Sequence, residues 1–222
     1  MNRLLLEKTG NAVWISHLDF MRVLQRAFRR AGLMLKHTGG FNQHAYVSLA
    51  LPLPVGTSSS CEILEFSLAP DCEALSPSEF LSRLNAALPE GIRALELYES
   101  EEKLKYLTHL RAELTLDYDN GIPDGTEGAL AKLFSGASLP VEKKTKSGLA
   151  QVDIRPMIAS LEIKRRSSGD ALILDTVVCA QNPSLNPALL ALAIETYLPD
   201  FKPDFVSVRR LEVLRSDGSP FR

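Results

Sequence analysis

Long apolar runs are missing: no stretch of the 222 residues approaches the ~20 consecutive apolar residues that a bilayer-spanning helix needs. The opening MNRLLLEKTG has too short an apolar segment for a secretory signal and lacks a small-residue cleavage site. Cysteine is scarce. Cys61, Cys72 and Cys179 are odd in number and share no C-x-x-C spacing, which disfavours a disulfide framework, a zinc site or an iron–sulfur cluster held by this chain alone. No Walker or dinucleotide fingerprint is present. Trp14 is the one tryptophan, and the phenylalanines do not form the exposed aromatic pairs of an RNA-recognition-motif sheet. Net charge is also small, at −2, which excludes a globally basic nucleic-acid binder. These absences lead to the expectation of a reduced, cytoplasmic protein with no membrane segment, no metal site and no cofactor in this chain.

What is present is ordinary in amount and uneven in arrangement. Apolar residues make up 45% and charged residues 23%, as in soluble globular proteins. The length allows one large domain or two small ones. Residues 1–50 carry seven Lys/Arg against two Asp/Glu, whereas residues 51–102 carry two against ten. Within the basic part lies the stretch Ser16–Ser60, an arginine-faced helix followed by a long glycine- and serine-rich segment, with three of the four histidines.

Periodicity supplies a fold. Arg3–Leu6 and Ala12–Ile15, around Gly10-Asn11, read as a first strand or hairpin. Ser16 is a good N-cap, with Asp19 at the helix's positive end and Gly32 closing it. Leu33–Lys36 is expected to pair as a second strand, and Ile63–Leu68 alternates as a half-buried one. Ser76-Pro77-Ser78-Glu79 starts a second helix, and a strand follows at Ile92–Leu97. At an offset of 110 residues the plan repeats: Ile173-Leu174-Asp175 answers Ile63-Leu64-Glu65, Asn186-Pro187 answers Ser76-Pro77, and Leu198-Pro199 answers Leu88-Pro89. The expected class is α+β: two tandem ferredoxin-like (β-α-β-β-α-β) domains with antiparallel sheets, residues 1–99 and 106–216. The longest connection of each half, about residues 37–60 and 146–170, is expected between its second and third strands.

Arg22, Arg26, Arg29 and Arg30 form a stripe for which Asp19 is the only nearby acid, an arrangement suited to phosphates. A solvated face paired with the acids of residues 62–102 is the alternative. In the following loop, Gly39 and Gly40 permit close ligand approach, Phe41 is placed to stack on a base, Asn42 or Gln43 to read a base edge, and His44 to contact the bound RNA. A flexible turn with Phe41 tucked into the core is the competing reading. Ser58, Ser59 and Ser60, after Gly56-Thr57, are a candidate phosphate cradle. Lys143, Lys144 and Lys146 make the second long connection basic and are further candidates for RNA or phosphate binding, with Lys164-Arg165-Arg166 on its far side. His17 and His44 are candidates for acid and base in metal-free RNA cleavage, although no spacing brings them together and His17 also suits a local hydrogen-bonding role.

Ile15-Ser16-His17-Leu18-Asp19, Arg22, Arg26-Ala27-Phe28-Arg29-Arg30-Ala31-Gly32-Leu33, Gly40-Phe41-Asn42 and Pro52-Leu53-Pro54-Val55-Gly56 with Glu62 resemble the radical-SAM-linked protein family of bacteria. One departure is Gln43, where that family usually has proline. The resemblance implies a radical SAM protein as partner and an RNA-processing or translation setting, without implying a reaction. This chain lacks the three-cysteine motif of a radical SAM cluster, so any radical chemistry belongs to the partner. The expected role is an RNA-binding or substrate-presenting accessory protein acting on tRNA or rRNA. A metal-independent endoribonuclease using His17 or His44 and a protein-interaction scaffold are the alternatives.

Overall fold

The computed structural model describes residues 1–41, 43–145 and 148–222. Two compact units divide the chain: Met1–Leu104 with Arg222, and Lys105–Phe221. The class is mixed α and β, with antiparallel strand pairs and, among the described residues, four α-helices.

In the first unit the strands are β1 (Asn2–Lys8), β2 (Val47–Leu49), β3 (Thr57–Phe66) and β4 (Ile92–Glu99), and the helices α1 (His17–Arg30) and α2 (Pro77–Ala87). β1 pairs with β3 and β4, and β2 pairs with β3, so the order is β4-β1-β3-β2 with every pair antiparallel. The pleat points Leu4, Leu6, Leu64 and Phe66 into a core with Phe20, Leu24, Ala27 and Phe28 of α1 and Phe80 and Leu84 of α2. Three phenylalanines meet there. Phe28 stands edge-on to Phe66 and Phe80 at 5.1 and 6.0 Å, while Phe66 and Phe80 stack at 5.7 Å.

Both helix starts follow their sequence signals. Ser16 Oγ accepts from the Asp19 amide, and Ser76 and Glu79 close a full capping box. Gly32 takes φ +73° as α1 ends. Two strand expectations are corrected. Ala12–Ile15 is not the return arm of a hairpin, because Gly10–Trp14 winds into a 3-10 turn whose carbonyls at Val13 and Ile15 accept from Lys8 Nζ at 3.4 and 3.0 Å. Leu33–Lys36 is not the second strand either: it makes one bridge, Leu35 to Leu68, and Val47–Leu49 holds the place beside Leu64–Phe66. Leu33 and Leu35 are both buried, so they serve as packing for α1 and the sheet instead.

The second unit holds β5 (His109–Asp117), α3 (Thr126–Ser135), β6 (Pro140–Thr145), β7 (Gly148–Asp153), β8 (Ile158–Arg165), β9 (Ala171–Cys179), α4 (Ala188–Tyr197) and β10 (Phe205–Leu214). Its sheet runs β10-β5-β9-β8, again antiparallel throughout, and β6 and β7 form a separate hairpin. The connection expected over residues 146–170 is therefore corrected to a strand, a 3-10 turn at Arg155–Met157 and another strand. Asp153 organises that corner: its Oδ1 accepts from the amides of Leu139 and Arg155. The structure also adds a correspondence between the halves. Glu65 on β3 pairs with Arg3 of its unit's first strand, and Asp175 on β9 pairs with Arg111 of its own.

Candidate functional site

α1 buries one face and leaves the other to its arginines. Phe20, Leu24, Ala27 and Phe28 recur at helical spacing and are buried, so Leu18, Arg22, Arg26 and Arg29 stand on the exposed side. Arg22 donates to Asp19 Oδ1 at 2.9 Å. The Ser16 hydroxyl, and then Arg22, hold the Asp19 carboxyl below the usual carboxylate range. Arg30 is turned aside to donate to the Ala87 carbonyl at 2.5 Å. The side chains of Arg26 and Arg29 make no hydrogen bond or salt bridge among the described residues, and Arg26 acts on Asp19 only through its charge.

The acids of residues 62–102 do not neutralise this stripe. Glu65 is taken by Arg3, Glu73 by Arg83, and Glu79 by the cap of α2, while Glu62 is buried beside Lys8. The alternative of a face paired with those acids is thus corrected: among the described residues only Asp19, within α1 itself, forms a salt bridge to it.

The loop after α1 closes on itself. His37 bridges Ala45, the Thr38 amide donates to the His44 carbonyl at 2.8 Å, and the His44 amide donates to Thr38 Oγ1 at 2.9 Å. Gly39 and Gly40 are exposed, and Gly40 takes φ +103°. Phe41 at the tip is fully exposed, which corrects the reading that tucks it into the core. Asn42 lies outside the described residues. A small cavity of about 80 Å³ separates the base of this loop from α1, floored by Phe28, Leu33 and Leu35 and edged by Gln25, Arg29 and His37. His37 Nδ1 lies 3.0 Å from the Leu35 carbonyl. A carbonyl only accepts, so Nδ1 carries the hydrogen, leaving Nε2 of the neutral ring as an acceptor.

Other sequence candidates fall differently. Ser58, Ser59 and Ser60 lie within β3 and form no open cradle; Ser59 is fully buried, with its Oγ accepting from the Cys61 amide. The cause is that strand pairing starts at Thr57, earlier than the apolar alternation announced. His17 opens α1, half-buried, with a buried Nδ1 that has no partner; His44 is exposed, and no hydrogen bond joins the two. Lys143 and Lys144 sit on β6, Lys143 half-buried, and Lys146 lies outside the described residues. The flanking basic run is neutralised. Lys164 pairs with Glu162 and Asp175, Arg165 with Glu127, and Arg166 with Asp117 and Asp170.

Two features escaped the sequence reading. Lys8, 1% exposed, sits under the 3-10 turn; burial lowers its pKa, while Glu62 acts in the opposite sense. Trp14, the last residue of that turn, is 66% exposed; Leu18 and Val55 are exposed too, at 66% and 56%. Spacing gives no signal for Trp14, because extended Ile15 and Ser16 separate its 3-10 turn from α1.

The family model described as an uncharacterized protein conserved in bacteria (DUF2344) matches residues 2–187. The chain belongs to this family. No curated protein matches it. Among solved structures it is similar to a chain from a crystal structure of a Cbf5-Nop10-Gar1 complex, at 8% identity and a TM-score of 0.40. That alignment covers 95% of this chain and 57% of the solved one, so the DUF2344 chain spans little more than half of that length. Among the described residues no helix is long and apolar enough to cross a membrane, and no group of three or more His, Cys, Asp or Glu could hold a metal ion.

Proposed function

We propose that this chain is an RNA-binding or substrate-presenting accessory protein that works with a radical SAM enzyme on tRNA or rRNA. The observation that carries the RNA half is the stripe of α1: Arg26 and Arg29 have no salt-bridge partner among the described residues, and none of the acids of residues 62–102 forms a salt bridge to them. Aligned like charges destabilise a helix by a few tenths of a kcal/mol per pair, and phosphates offset that cost through bidentate arginine contacts. The partner half rests on the resemblance of residues 3–65 to the radical-SAM-linked family. Each unit is read as ferredoxin-like on its strand order, the second with the hairpin β6–β7 inserted after its first helix.

The test is RNA affinity as a function of salt for the native chain and for Arg22→Glu/Arg26→Glu/Arg29→Glu. The expected result is at least a tenfold loss, with the slope of log affinity against log salt shallower by about three, one for each phosphate contact removed. Equal affinity and equal slope in a folded variant remove the claim. A native protein that binds no RNA yet co-purifies with a radical SAM enzyme leaves only the scaffold role.

A further inference from the structure

We infer that Trp14 is a stacking platform for an unpaired base of the RNA whose phosphates the α1 arginines hold, so that the strand engaged is single. This rests on the RNA-binding reading above and adds the state of the RNA to it.

The ring is exposed and its backbone is pinned. Lys8 Nζ reaches the carbonyls on both sides of Trp14, at Val13 and Ile15. The Gly56 amide donates to Val13 O at 2.9 Å, and the Ile15 amide donates to Ala12 O at 3.2 Å. The ring is held as well. Its six-membered part lies over Gly56, where an added Cβ would come to 3.3 Å from Trp14 Cζ3, and Gly56 adopts φ +82°. Glycine is therefore what lets the indole lie against this turn.

An indole left 66% in water forgoes most of the free energy of burying it. Fixing it in that position removes the ordering cost that a mobile side chain would bear on binding. Among possible occupants, charge selects one. From Leu18 the exposed face of α1 runs through Arg22, paired with Asp19, to Arg26 and Arg29, which have no salt bridge among the described residues and complement a polyanion. Aromatic faces beside a basic track are how single strands are held without sequence preference, and a base in a duplex offers no face to such a ring.

Because Trp14 is the only tryptophan, emission excited at the red edge, where the five tyrosines do not absorb, reports this contact alone. The full chain is titrated with an unlabelled oligouridylate of roughly a dozen nucleotides and with a duplex of the same length. Expected are quenching by the single strand at the concentrations where it binds, weaker binding of the duplex without quenching, and about a tenfold loss of single-strand affinity in Trp14→Ala. Trp14→Phe should recover most of that loss, with circular dichroism confirming the fold of both variants. Salt-sensitive binding with unchanged fluorescence, and an affinity that Trp14→Ala leaves alone, overturns the stacking inference while the RNA reading stands. Equal quenching by the duplex overturns the single-strand assignment. Absence of any RNA binding removes both, and a fluorescence change seen only with a protein partner reassigns the surface to that partner.

Discussion

The first helix of each unit follows that unit's first strand in the same strand order, and the two differ mainly on the side that faces water. Inside, α1 buries Phe20, Leu24 and Phe28 where α3 buries Thr126, Leu130 and Phe134. Outside, α1 presents four arginines against Asp19, whereas α3 carries Glu127 and Lys132, and Glu127 is matched by Arg165 from β8. Cations of the second unit repeatedly find carboxylates within it: Arg111 and Lys164 share Asp175, and Arg166 meets Asp117. Arg26 and Arg29 have no such partner, and neither do Lys132 of α3 and Arg209 of β10 among the described residues; what sets α1 apart is that two such arginines share one helical face. It is that pairing of arginines on one face which the proposed phosphate contacts would use.

Alanine in place of Phe28 or Phe134 should cost each unit alike, about 3–5 kcal/mol by urea unfolding, because both rings are buried anchors of equivalent helices. A near-neutral result at either position breaks the equivalence. Reversing Lys164, Arg165 and Arg166 to Glu should leave RNA affinity and its salt slope unchanged. It should lower stability by roughly 0.2–1 kcal/mol for each exposed pair lost. A loss of RNA affinity matching that of the α1 triple variant would falsify the contrast drawn between the open α1 arginines and this paired basic run.

The smallest effect concerns pH. The Arg111 hydrogen bond, foremost, lowers the pKa of Asp175 below 3.8 in the folded state. The unfolded chain therefore holds that proton more tightly, so the stabilisation is fully present above 3.8 and is lost as pH falls through the folded value. Arg111→Met should cost less than about 1 kcal/mol at neutral pH, since the pair is partly exposed. The two proteins should converge in stability well below pH 3.8. A gap that persists there assigns the effect to packing of the arginine stem instead.

Local signals were read well wherever one residue type answers one physical need. Ser16 and Ser76 cap helices because their hydroxyls accept the N3 amides, and Gly32 ends α1 because the backbone turns left-handed there. Strands were harder. Leu33–Lys36 and Val47–Leu49 are both short and partly apolar, and nothing within either says which one lies beside β3. The serines of β3 looked like a loop because polar side chains there hide a run of paired backbone.

By itself the sequence determined the caps of α1 and α2, the doubled plan and the excess of arginine on one helical face, but not the start of α4, where Pro187 and not Asn186 is the N-cap. Each is set by residues within a few turns of one another or by their spacing. Which cations stay open, where the second strand of each unit falls, and that Trp14 stands exposed on Gly56 were decided only by tertiary structure. Those outcomes depend on partners dozens of residues apart, and their pairing is chosen by the packing of the whole unit, which no local pattern records.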